Sequence, residues 1–356
     1  MLLAIEWALL IEKAVLILII ISLSLLIAMY ETYAERKVAA FMQDRRGPSR
    51  AGPFGLLQPL ADGLKLFMKE EIIPASSNRL LFVLGPGLAM LTAMMTSAVV
   101  PWSSHFELFG RSISLQIADI NIGILYIFGV VSMGVYGVMI GGWASNNKFS
   151  LLAAIRGASQ IISYELAMGL AIIALLMVTG SLSLKTIVEQ QQQTGHPYYV
   201  VYQPLGFLIF LVCAFAECNR TPFDLSEADS ELNMGFHLEY SSMKLGFYLF
   251  SEYINVFISS AVMATLYFGG FDIPFVNDAE LVHRIGQNPV AILQAVSLFG
   301  KVVCFIFFFM WVRWTIPRFR YDQLMDLGWK VLIPLSLLNM LATGFIVLLR
   351  QNHWHF

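Results

Sequence analysis

The sequence predicts an all-α polytopic membrane protein of about eight transmembrane helices, and three observations carry that reading. Apolar residues make up 58% of the 356 residues and charged residues only 13%, about half the charged share of an ordinary soluble domain. Mean hydropathy is +0.70. The apolar residues also fall in blocks of about 20, long enough to cross a bilayer as helices that satisfy their own backbone hydrogen bonds. No linker or low-complexity run divides the chain, so residues 1–356 read as a single membrane domain.

The first block, 8–30, lacks the basic leader and small-residue cleavage site of a signal peptide, so it is expected to remain as a span. Glu12 and Lys13 lie at its outer end, where long side chains snorkel. The connection 31–79 holds Glu35-Arg36-Lys37 and Asp44-Arg45-Arg46, and turns periodic from Leu56. Leu57, Leu60, Ala61, Leu64 and Met68 share one face, Asp62, Lys65 and Lys69 another, with Pro59 in the first turn. A helix of about 14 residues is too short to span, so an amphipathic surface helix is expected. It is either a plain interfacial anchor or the wall of a chamber for a lipid-soluble substrate. Further spans are expected at 80–100, 120–143, 158–180, 204–219, 245–268, 290–312 and 330–350. In the third, Gly137 and Gly141 form a GxxxG that close helix packing explains.

Basic residues set the topology. Alternate connections place 31–79, 144–157, 217–244 and 313–330 on one side. Sixteen of the 22 Lys and Arg fall there, against four on the other (Arg111, Lys185, Arg284, Arg350). The sixteen-residue side is expected in the cytoplasm, with both termini outside.

The polar stretch 217–244 is therefore cytoplasmic. It carries Glu217, Asp224, Glu227, Asp229, Glu231 and Glu239, six of the chain's 24 acids, with a single Arg up to residue 240. Carboxylates crowded in this way repel one another, so their protonation responds to any new charge nearby. That behaviour suits proton handling. Glu165 and Glu252 are expected about two turns into the fourth and sixth spans, and Lys301 near the middle of the seventh. Ionisable groups within a membrane normally face a polar interior; an ion pair of Glu252 with Lys301 is the structural alternative.

Composition also excludes several classes. A net charge of −2 leaves no electrostatic footprint for nucleic acid. Three cysteines without a CxxC (Cys213, Cys218, Cys304) fall short of an iron–sulfur ligand set. No histidine pair has the spacing of a haem-binding bundle, and no metal site or catalytic group of its own is assigned.

Glu35-Arg36-Lys37, the Gln58-Pro59-Leu-Ala-Asp62-Gly-Leu-Lys65 helix and Ala216-Glu217-Cys-Asn-Arg220-Thr-Pro-Phe223-Asp224 together closely resemble one family: the membrane-embedded, quinone-chamber component of type-I NADH:quinone oxidoreductase, respiratory complex I, known as its H component in bacteria and subunit 1 in mitochondria. The likeness runs over essentially the whole chain. It implies a subunit that forms the quinone tunnel and couples quinone reduction to proton translocation. NADH, FMN and iron–sulfur clusters would belong to partner subunits, with no cofactor on this chain. Arg36, Asp62, Lys65, Glu70, Arg220, Phe223 and Asp224 match positions at the quinone chamber. Glu165, Glu217, Glu227, Asp229, Glu231 and Glu252 match the polar path toward the pumping subunits. Implied partners are quinone, the peripheral-arm iron–sulfur and quinone-site subunits, small membrane subunits, antiporter-like subunits and lipid. The implied location is the bacterial inner membrane or its mitochondrial equivalent. Related subunits of membrane-bound hydrogenases keep the acids but diverge in the first connection. A proton-coupled secondary transporter is the alternative from another class; it would show two related halves, which the sequence lacks.

Overall fold

The computed structural model describes residues 7–108, 111–192, 198–227, 232–233, 235–274, 276 and 278–351. Long helices dominate: α1 (Trp7–Met42), α3 (Arg79–Thr96), α4 (Gly123–Ala144), α5 (Lys148–Thr179), α8 (Pro204–Glu217), α9 (Ser242–Tyr267), α11 (Gln287–Thr315) and α13 (Ile333–Gln351), the last continuing from α12 (Tyr321–Asp326) through a π-helical segment, Leu327–Leu332. Shorter elements are α2 (Gln58–Met68), α6 (Leu184–Gln192), α7 (Tyr199–Tyr202), α10 (Asp278–Ile285), and the strands β1 (His105–Leu108) and β2 (Arg111–Ser114).

Seven of these helices are long and apolar enough to cross a membrane. The fifth expected span, 204–219, is α8, only 14 residues long, about 21 Å at the rise of an α-helix and short of a 30 Å hydrocarbon core. Helix α1 runs to Met42, so the first part of the expected 31–79 connection, including Glu35-Arg36-Lys37, is helical. Likewise α5 begins at Lys148, which puts Glu165 near the middle of its helix instead of two turns in. The surface helix α2 covers 11 residues from Gln58. An antiparallel hairpin, β1 with β2, pairs His105 with Ser114 and was not expected from the sequence.

Local chemistry fixes the ends. Asn78 Oδ1 accepts from Leu80 and Leu81 N–H to cap α3, and Asn147 does the same for Phe149 at α5. Helix α5 stops at Gly180, in the left-handed region at φ +66°. The α3–α4 contact is close because it is built from small residues: a Cβ at Gly137 would sit 2.8 Å from the Ala89 nitrogen, and one at Gly85 3.0 Å from Gly141 Cα. This is the packing expected of the GxxxG. Helix α9 is the central element, with Tyr248, Ile254, Phe257, Ala261, Ala264 and Tyr267 all buried. Helices α1 and α13 instead expose Leu18, Ile19, Leu341, Phe345 and Ile346, an apolar exterior suited to lipid.

The four connections expected on one side do converge. Ser241 accepts from Ile72 N–H, Asn147 donates to Glu239, and Phe319 N–H donates to the Pro222 carbonyl. At the other end, Lys13 donates to the Gln116 carbonyl and Gln192 to Asp278.

Candidate functional site

The segment after α8 does not hang in solvent. Gln160 of α5 donates to the Ala216 carbonyl at 2.9 Å and to the Phe223 carbonyl at 2.6 Å, which draws the loop under the helices. Phe223 then packs between Tyr164 and Phe319 at ring distances of 5.4 and 5.5 Å. Asn219 takes a left-handed conformation at φ 49°, which asparagine tolerates better than most residues. Gly235, at φ +75°, leaves no room for a side chain: a Cβ would stand 1.9 Å from the Ser226 carbonyl oxygen. The acidic loop is thereby folded inward, and Arg220, Asp224 and Ser226 are buried.

The buried charges form one neighbourhood. Arg220 lies 3.6 Å from Glu35 of α1, with its guanidinium 4.0 Å over the Tyr253 ring. Arg313 of α11 lies 2.7 Å from the same carboxylate, and the Tyr253 hydroxyl donates to it at 2.9 Å. Arg318 pairs with Asp224 at 2.9 Å. Burial first, and then the Glu227 charge, push the Asp224 carboxyl up to about 7, against the opposing pull of Arg318 and Arg313. Burial also acts to raise Glu227, but His237 at 3.4 Å, a hydrogen bond with Glu252 and the Arg220 and Arg313 charges together bring it below its ordinary value. Glu227 of the loop and Glu252 of α9 thus stand side by side.

Above this neighbourhood opens a cavity of about 90 Å³, lined by Glu217, Cys218, Asn219, Ser251 and Glu252 at its polar end. It continues among Thr92, Thr96, Gly134, Met168, Phe210 and Ile258 of the helices around it. The space and the polar groups at one end suit several waters. Glu217 Oε2 and Glu252 Oε1 are buried without a hydrogen-bond partner among the described residues. Glu165 lies within electrostatic reach of Glu217. It accepts a hydrogen bond from Ser132 and lines an outward groove with Phe128, Leu166 and Ile173.

The structure thus brings Glu217, Glu227, Glu252, Arg220 and Asp224 together, with Glu165 at the edge and Phe223 as the packed support. Asp229 and Glu231 lie outside the described residues. Arg36 and Asp62 form a separate pair at 2.7 Å that ties α1 to α2. Lys65 and Glu70 are exposed on and after α2, where Leu60, Leu64, Phe67 and Met68 are exposed as well. An ion pair of Glu252 with Lys301 does not form. Lys301 instead donates to the carbonyls of Phe268, Gly270 and Asp272 at 2.7–2.8 Å, near the opposite end of the molecule.

Sequence reasoning did not single out Glu31, Glu35, Tyr253, His237, Arg313 or Arg318 as members of the site. Glu35 and Arg220 each stood within a quoted motif, but nothing in their spacing says that they meet. Tyr253 lies one residue after Glu252, and its ring serves Arg220 only because α9 passes beneath the loop.

A family model described as NADH dehydrogenase matches residues 14–344. Relatives named as the H component of NADH-quinone oxidoreductase include one from Cytophaga hutchinsonii, 65% identical over 96% of this chain and 98% of the relative. One from Flavobacterium johnsoniae is 61% identical over 96% of the chain and 97% of its own length. One from Geobacter metallireducens is 48% identical over 92% and 93%.

Proposed function

The chain belongs to the NADH dehydrogenase family, as the H component of NADH-quinone oxidoreductase, and on that premise we propose that it binds quinone and couples quinone reduction to proton translocation. The observation that carries the proposal is the inward-folded acidic loop, whose buried, incompletely bonded carboxylates open onto a cavity among the spanning helices. Arg36, Asp62, Lys65 and Glu70 would shape the mouth of the quinone chamber from α1 and α2, with Arg220, Phe223 and Asp224 forming its inner wall. Glu217, Glu227 and Glu252, extended by Asp229 and Glu231, would carry the electrostatic change inward. Glu165 would pass it to a neighbouring membrane subunit seated at its groove.

Quinone reduction takes up two electrons and two protons, so the head group is transiently anionic. A unit charge about 7 Å from a carboxylate contributes roughly 2.4 kcal/mol at an effective dielectric near 20, nearly two pKa units. That suffices to move a proton onto a carboxyl already held near neutrality, as Asp224 is. Arg220 and Arg313 keep the neighbourhood from protonating outright.

In this reading NADH, FMN and iron–sulfur clusters reside on peripheral-arm subunits, and antiporter-like subunits continue the path. The protein resides in a bacterial inner membrane, with the loop side in the cytoplasm and both termini outside. The test is to assay assembled enzyme carrying Glu217→Gln or Glu227→Gln for quinone reductase turnover and for proton translocation. Loss of translocation in either supports the role; undiminished translocation in both overturns it.

A further inference from the structure

Glu31 stands one helical turn from Glu35 on the same side of α1, at the i, i+4 spacing where two like charges repel. It is 4% exposed, and its Oε1 has no hydrogen-bond partner among the described residues. The cation within its electrostatic reach is Arg220, which carries the complementary unused donors: Nε and Nη2 of this buried guanidinium are also unpartnered among the described residues. Glu35 does not need Arg220 to the same degree. Arg313 at 2.7 Å and the Tyr253 hydroxyl at 2.9 Å already satisfy it, and Arg220 stands off at 3.6 Å.

The charge balance points the same way. Glu31, Glu35, Asp224, Glu227 and Glu252 share this neighbourhood with Arg220, Arg313, Arg318 and His237. Five carboxyl groups share the site with three guanidinium groups and one imidazole, so the carboxyls outnumber the fixed cations, and buried charge without a counter-charge is costly. Arg220, held over the Tyr253 ring, is the member with two such donors to spare, Nε and Nη2.

We propose that Glu31 is the alternate carboxylate of Arg220: a positioning residue that takes the guanidinium from Glu35 when the charge in the chamber changes. Only hydrogen bonds are exchanged. Arg220 slides along the Tyr253 face toward Glu31, one turn of α1 away, and its field at Glu252 and Glu227 changes as it moves. A small rotation of one side chain thus converts a charge at the chamber into a new balance at the carboxyl pair beside the cavity. The inference rests on the proposed coupling role, and Glu31 extends that role to a residue outside the acidic loop.

The experiment compares Glu31→Gln, Glu31→Asp and Glu217→Gln in assembled enzyme whose artificial-acceptor reduction of NADH is intact. Loss of one charge-assisted hydrogen bond in the moving state should lower quinone-dependent kcat by at least about tenfold in Glu31→Gln. KM for quinone should stay within about twofold, because Arg220 remains beside Glu35 in the resting state. Glu31→Asp, which keeps the charge, should recover most of the rate. Wild-type kcat in Glu31→Gln together with impaired translocation in Glu217→Gln would overturn the inference and leave the coupling role standing. Full translocation in Glu217→Gln and in Glu227→Gln assayed beside it would overturn the coupling role itself. A loss in Glu31→Gln that Glu31→Asp shares equally would mark Glu31 as packing only, which also overturns it. Should Glu31→Gln not assemble, Glu31→Met takes its place in the comparison: a loss of at least about tenfold in kcat with KM unchanged supports the proposal, and wild-type kcat overturns it.

Discussion

The two ends of the molecule treat buried charge in opposite ways. At one end, Lys301 is held by three backbone carbonyls, Tyr198 donates to Asp272, and Gln192 and Gln294 both donate to Asp278. At the other, Arg220 has two unused donors, and Glu31, Glu217 and Glu252 each keep a buried oxygen without a hydrogen-bond partner among the described residues. Lys301, with its three donors on three carbonyls, is a clamp, because any movement forfeits those bonds. A charge with bonds unmade has somewhere to go. The first arrangement fixes the segment 268–274 against α11; the second leaves the loop end able to answer a change in its surroundings.

The sharpest way to break this contrast is to remove a charge from each end. Arg220→Met strips the acid neighbourhood of a buried counter-charge, which costs about 3–5 kcal/mol. Loss of assembled enzyme on native gels is expected, and assembly at wild-type level would mean that the acids are already neutral. Lys301→Met orphans three carbonyls at roughly 1–3 kcal/mol each, eased by whatever water enters. Thermal stability should fall while protons translocated per quinone reduced stay unchanged; a changed ratio would show that both ends take part in coupling.

The remaining two predictions sharpen the comparison. Asp224 is held at about 7, above the ordinary carboxylate value, because it is buried. A carboxyl raised on folding favours the folded state at low pH and loses that advantage as pH climbs from about 4 through 7. Asp224→Asn should therefore flatten the fall in melting temperature between pH 5 and pH 8; an unchanged slope would place that titration elsewhere. The smallest effect is expected at Lys65, exposed on α2. Lys65→Ala should raise the quinone KM by about threefold, under 1 kcal/mol, and leave artificial-acceptor reduction of NADH intact. An unaltered KM would remove α2 from the quinone path.

Much of the fold was legible because lipid imposes a coarse, repetitive requirement. Blocks of apolar residues mark the helices, and the asymmetry of Lys and Arg groups the connections that meet at one end. Helix ends were less legible: charged residues such as Glu35 and Arg156 suggest a loop, yet α1 and α5 carry them inside longer helices. The loop acids announced themselves by density, and Glu217, Glu227 and Glu252 do meet. Their counter-charges did not. Arg318 lies 94 residues beyond Asp224, and it and Arg313 look like ordinary basic residues at a membrane boundary. Glu31 lies in a run of apolar and aromatic residues, where only the packing of α1 reveals that it is enclosed.

At 14 residues, helix α8 is about 9 Å shorter than a typical hydrocarbon layer is thick, so where it crosses a membrane a segment flanking it must lie inside the insulating slab. Any carboxylate at that depth sits partway down the voltage drop of an energised cell. With roughly a third of the thickness beneath it, a unit charge there gains or loses about 0.8 kcal/mol for each 100 mV. Were the shortfall at the Glu217 end, the truncated helix would expose Glu217 to the electrical load against which the enzyme works.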